Sequence, residues 1–172
     1  MINVSNILAL GDDQMASQYS LIFPEGIPGG GTGENVSLRM DQSLDPPEQG
    51  VNVYERFHKG FKIPKTGMLE ETTKEFTVDV LVDQQWQVYD ELEACKKMTY
   101  NQEDGTGLPD MDCYFPIITQ YEDKQQNSVK QIQYNYCKIK ALKVATADNT
   151  SGDPLRLTVT FTFVSSENKG KG

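Results

Sequence analysis

Histidine is almost missing from this chain: His58 is the only one in 172 residues. Hydrolytic triads relay a proton through an imidazole. His58 stands in a basic stretch, and no G-x-S-x-G elbow occurs anywhere. Catalysis therefore has no visible machinery, and the chain reads as a non-enzyme. Cysteine is scarce too. Cys95, Cys113 and Cys137 are widely spaced and form no C-x-x-C pair, so zinc has no ligand pair at its usual spacing. Their usage predicts reduced thiols, with an intermolecular bridge as the alternative. An excess of positive charge is also lacking. Lys and Arg number 16 against 25 Asp and Glu, a formal net charge of −9. That balance excludes a basic stripe gripping nucleic-acid phosphate and docking on anionic lipid. Long apolar runs are absent as well. MINVSNILALGDD has no basic leader, and Ile7–Leu10 is too short for a signal peptide or membrane span. Without an export signal, the sequons at Asn3, Asn35 and Asn149 read as chance.

What remains is a composition for one packed domain, 37% hydrophobic and 24% charged. We place it at residues 1–166, including an N-terminal arm, with 167–172 as a flexible polar tail. Period-2 alternation is strongest in Lys74–Asp83, where Phe76, Val78, Val80 and Val82 share a face and Thr77, Asp79 and Asp83 lie opposite. Leu155–Val164 matches it, with Leu155, Leu157, Val159, Phe161 and Phe163 on one side and Arg156 and three threonines on the other. Cys113–Tyr121 and Val129–Val144 predict a hairpin around a polar turn. Ile132, Tyr134 and Tyr136 share one parity but Ile139 and Ala141 take the other, which predicts a bulge near Cys137–Lys138. Weaker strands are expected at Gln18–Phe23, Val36–Met40 and Val51–Phe57.

One helix is predicted from Gln84 to about Met98, capped by Asp83, with Val88, Leu92 and Cys95 as its buried stripe and Trp86 in the core. Pro24–Gly33, Asp41–Gly50 and Glu103–Asp112 read as loops. The first fails as a phosphate loop, because a Walker frame from Gly26 puts Thr32 and Gly33 where Lys and a hydroxyl belong. The acidic loop Asp104–Asp112 lacks the order and distal Glu of an EF-hand. No metal and no cofactor are expected.

Gly50–Thr72 differs in character. Tyr54, Phe57, Phe61 and Ile63 alternate with Arg56, His58, Lys59, Lys62 and Lys65 in an otherwise acidic chain. That makes it a candidate contact arm, with an exposed hairpin packed on its own domain as the alternative.

The order of these features carries a resemblance. LRMDQSLDPP is followed by the basic-aromatic excursion. GFKIPKTGMLEETTKEFTVDVLVDQQWQVYDELEACKKM comes next, and CKIKALKVATADNTSGDPLRLTVTFTFVSSE closes the chain. From about Gln18 to Glu167 this resembles the tail tube protein of contractile-tailed bacteriophages, whose tube fold is shared with contractile injection systems. The chain departs in a longer Gly-rich loop, Gly26–Gly33, and an added acidic loop, Asp104–Asp112. The resemblance implies a mainly β fold, two antiparallel sheets packed as a sandwich or barrel with one α-helix at the side. It implies homohexameric rings stacked into a tube, a sheath outside, a baseplate or tube initiator and a tail terminator at the ends, and DNA passing through the lumen without specific binding. The location implied is the virion tail, assembled in the host cytoplasm. The excursion Asp45–Thr72 maps to the ring-stacking arm, with Tyr54, Arg56, Phe57, Lys59, Phe61, Lys62 and Lys65 as contacts. Asp79, opposite the apolar stripe, is a candidate for an acidic lumen, with solvation of the outer wall as the alternative. A tube initiator or baseplate ring, the secreted tube subunit of a bacterial injection machine and a small β-sandwich binding module are the alternatives.

Overall fold

The computed structural model describes residues 19–47, 51–69, 74–147 and 152–170; the expected N-terminal arm up to residue 18 and the sequons Asn3 and Asn149 lie outside these. Nine strands are described: β1 (Tyr19–Ile22), β2 (Met40–Asp45), β3 (Val51–His58), β4 (Phe61–Leu69), β5 (Glu75–Leu81), β6 (Phe115–Glu122), β7 (Ser128–Val144), β8 (Arg156–Thr162) and β9 (Ser165–Gly170). Three helices join them: α1 (Glu34–Leu38), α2 (Gln87–Thr99) and α3 (Asp110–Cys113). The chain is mainly β, as expected. One seven-stranded antiparallel sheet runs β1-β6-β7-β8-β5-β2, with β9 also on β7, and β3-β4 form a separate two-stranded sheet.

Alternation builds the large sheet. β5 and β8 bury every second residue, so Phe76, Val78 and Val80 meet Leu157, Val159 and Phe161 in one core. From the other half come Leu21, Phe115, Ile117 and Tyr134, and from α2 come Val88, Leu92 and Cys95. The sheet can enclose this core because β7 breaks in the middle. Phe115 faces Cys137 whereas Ile117 faces Tyr134, so β7 spends one extra residue there, and Tyr136 takes φ 56°. The residues before the break pair with β6 and β9, those after it with β8. The predicted bulge is present, but it turns Tyr136 outward, and a second irregularity between Ile139 and Ala141 leaves Ala141 exposed.

Four expectations are corrected. Val36–Met40 is not a strand: Gly33 adopts φ +76°, where a Cβ would meet the Phe23 ring at 2.5 Å, and Ser37 N–H bonds to its carbonyl (3.0 Å), which starts α1. The segment read as a loop from Asp41 opens instead with β2, whose backbone pairs with the edge of β5. Residues 167–170, read as the start of a flexible tail, belong to β9; its polar side chains are exposed and its order comes from backbone pairing with β7. Trp86 is 40% exposed, not core. It sits at φ 60° as the residue before α2, which starts three residues later than predicted. Asp83 still caps, because its carboxylate accepts from the Gln87 and Val88 amides at 3.2 and 3.3 Å.

Candidate assembly surfaces

The arm is a hairpin whose strands pair only with each other among the described residues. Its turn is Lys59–Gly60, with φ 46° and 86°. Two positive φ angles in a two-residue turn match the twist of flanking strands, and glycine takes the second at no steric cost. Register then sorts the predicted contact residues. Phe57 lies opposite Lys62, whose ammonium sits 5.3 Å from the ring centroid and 3.2 Å from Glu55. Tyr54 lies opposite Lys65, and Arg56 opposite Ile63. Directly opposed residues share a face of the pleat. One face therefore carries Val53, Glu55, Phe57 and Lys62; the other carries Tyr54, Arg56, Phe61, Ile63 and Lys65; Lys59 is at the tip. The seven residues come together in one hairpin, but Phe57 and Phe61 point to opposite sides.

Neither aromatic has found a core. Phe57 is 68% and Phe61 73% exposed. Burying a Phe side chain is worth roughly 1.5–3 kcal/mol, so this arm leaves apolar area in water that a partner can cover.

Asp79 lies on the opposite face of β5 from Phe76, Val78 and Val80, and accepts the Thr158 hydroxyl at 2.7 Å. Rows across this face read Asp79–Thr158–Lys143 and Glu75–Thr162–Lys138, with Lys140 bonded to Glu75. The face is threonine-rich and its charges alternate in sign.

The acidic loop after α2 is tightly built. Leu108 N–H bonds to the Met98 carbonyl (2.9 Å), Asn101 N–H to Thr106 (2.8 Å), and a Cβ on Gly107 would lie 2.3 Å from the Thr99 oxygen. Asp104 accepts from the Thr106 hydroxyl (2.7 Å) and amide (3.0 Å), which hold its carboxyl below the usual range. Glu103 pairs with Lys97 at 3.5 Å and Asp110 with Lys138 at 3.1 Å.

No protein-family model matches this sequence, and no curated protein does. Solved structures do. A chain of the anti-feeding prophage (AFP) tube-terminating cap superposes over 99% of this chain and 99% of its own, with a TM-score of 0.66 and 9% identity. A chain of the PVC extracellular contractile injection system, from its extended sheath–tube complex, covers 99% of each, with a TM-score of 0.63 and 14% identity. A chain of the AFP baseplate covers 93% of this chain and 97% of its own at 0.62 and 8%. This is the tube fold of contractile injection systems. The cap and sheath–tube chains match over nearly their whole length and that of this chain, the arm and both departing loops included.

A tube-fold chain of this sequence also keeps its thiols inside. Cys95, Cys113 and Cys137 are all buried and unpaired. Burial pushes the Cys95 thiol up to about 12, with Cys113 adding to it, and burial alone pushes Cys137 up to about 12.

Proposed function

We propose that this chain is a structural tube subunit: copies close into hexameric rings through the open edges of the large sheet, and the rings stack through the β3–β4 arm. The observation that carries this is an aromatic, cationic hairpin standing in water on a tube fold. Among the described residues β1 and β2 end the large sheet, and unpaired edges favour pairing with a neighbouring copy. The tube would run inside a contracted or extended sheath, between a baseplate or initiator and a terminator, in a phage-type tail. Its channel would pass DNA without holding it. A ring of six carries six times the −9 of one chain, and the threonine-rich face bearing Asp79 presents no run of one sign to capture a polyanion.

Sedimentation of the full chain and of a variant lacking 51–69 tests the stacking role. The full chain should form fast-sedimenting polymer, and the shortened one folded rings or monomers. Polymer from both would defeat it. A second reading, a ring at the end of a tube, is favoured by the likeness to cap and baseplate chains. That protein would form single rings and stop.

A further inference from the structure

The chain carries a surface that matches its own arm. An open groove of about 570 Å³ runs between the Gly-rich loop, the side of α2 and the loop that follows it. Its apolar lining is Gly29, Ala94, Met98 and Leu108, the last 48% exposed, and its polar lining is Lys97, Asn101 and Thr106. The groove is held in shape. Gly29, at φ +103°, lies so close to α2 that a Cβ would stand 3.4 Å from the Ala94 methyl. Asn35 bonds to Glu91 at 3.0 Å and ties the segment after that loop to the helix. On the other side the Leu108–Met98 and Asn101–Thr106 bonds already described fix the wall. Lys97, the one charged lining residue, is engaged by Glu93 at 3.8 Å and Glu103 at 3.5 Å, and the lining Thr106 donates its hydroxyl to Asp104 at 2.7 Å. An apolar trough with a net acidic rim calls for an apolar ligand with cations on its flanks.

The second hairpin face has that character. Phe61 and Ile63 supply apolar surface, and Arg56 and Lys65 flank them with no acid on the same face. The other face carries Glu55, which already engages Lys62. We infer that the groove is the receptor for the arm of a second copy of this chain, Phe61 and Ile63 seated against Met98 and Leu108, with Arg56 and Lys65 facing Glu103 and Asp104. The inference rests on the tube reading above and names the surface it leaves open. Arm and groove are different patches of one chain, so the contact is head-to-tail. Such contacts propagate without closing unless rotation returns them to the start. Aromatic anchors in a desolvated pocket carry affinity, and rim charges set orientation and encounter.

Cysteine pairs in the full chain test this. Phe61→Cys with Leu108→Cys should give a ladder of covalent multimers on mild oxidation, since the native thiols are buried. Phe61→Cys with Val129→Cys, a site exposed near the start of β7 and outside the groove lining, should stay monomeric on denaturing gels. If the cysteines themselves impair assembly, a charge swap decides. Arg56→Glu and Glu103→Lys should each slow polymerisation, and the double variant should recover it. Tubes that form with no Phe61–Leu108 ladder, or single charge variants that assemble at the original rate, would overturn the receptor and leave the tube reading standing. A wild-type chain that never polymerises would defeat both.

Discussion

Phe76 on β5 stacks on Tyr134 on β7, ring centroids 4.6 Å apart, although β8 lies between those strands in the sheet. Two strand spacings would put the backbones nearly 10 Å apart in a flat sheet. The contact is made because β7 breaks after Tyr134 and tips its first half over the core. Phe161 and Phe163 complete the cluster, at 5.2 and 6.1 Å from Phe76. Phe76→Ala should therefore destabilise the subunit by about 3–5 kcal/mol, read as a lower chemical-denaturation midpoint. A loss below about 1 kcal/mol would mean that the cluster does not hold the curl, since isolated surface changes cost that little.

Asp83 gives the fold an acid limit. Burial alone would raise its carboxyl, but the Val88 and Gln87 amides, its own amide and the charge of Arg39 together hold it below the usual range. A carboxyl lowered by folding contributes fully above its unfolded-state value, and the contribution fades as pH falls through the folded one. Asp83→Asn should lower stability at neutral pH and flatten the acid limb of a stability–pH curve. Parallel curves for the two proteins would show that the cap has no titrating part.

Thiol labelling checks the packing of the sheet against α2. Native protein at neutral pH should label slowly at Cys95 and Cys137, whose thiols are held near 12, and denatured protein should label at all three. Fast labelling of Cys95 in the folded state would place α2 off the core.

The parts legible in sequence are those where side chains and backbone ask for the same thing. Val78, Val80, Val159 and Phe161 alternate because one face of their sheet is buried, and Val88, Leu92 and Cys95 recur at helical spacing for the same reason. The parts that were not legible owe their structure to backbone pairing or to one glycine. β9 is SSENKG, with no apolar residue to betray it, and it forms because β7 offers hydrogen bonds beyond the end of β8. Val36–Met40 has an alternating look, yet Gly33 turns it into a helix. Trp86 looks like core by type, but its left-handed backbone swings it outward onto the edge of Tyr89, 5.5 Å between centroids. The arm was legible from composition. Its division into two faces needed the register, and the apolar groove beside Leu108 has no signature beyond the acidic loop next to it.

The arm separates folding from assembly. Phe57→Ser with Phe61→Ser should leave the thermal midpoint of the isolated subunit nearly unchanged, because both side chains are already in water, and should abolish polymer. Arg56→Glu with Lys59→Glu should weaken assembly at ordinary salt. A midpoint that drops by many degrees with the serine pair would show that the aromatics pack on their own domain. Full-length tubes from the glutamate pair would remove the electrostatic half of the arm's role.

Electron microscopy of the purified chain at high concentration tests the central claim most directly. The account predicts six-fold rings stacked end to end around an open channel, with the β3–β4 hairpin crossing from each ring to the next. A monodisperse monomer, or polymer in which that hairpin stays within its own ring, would contradict it.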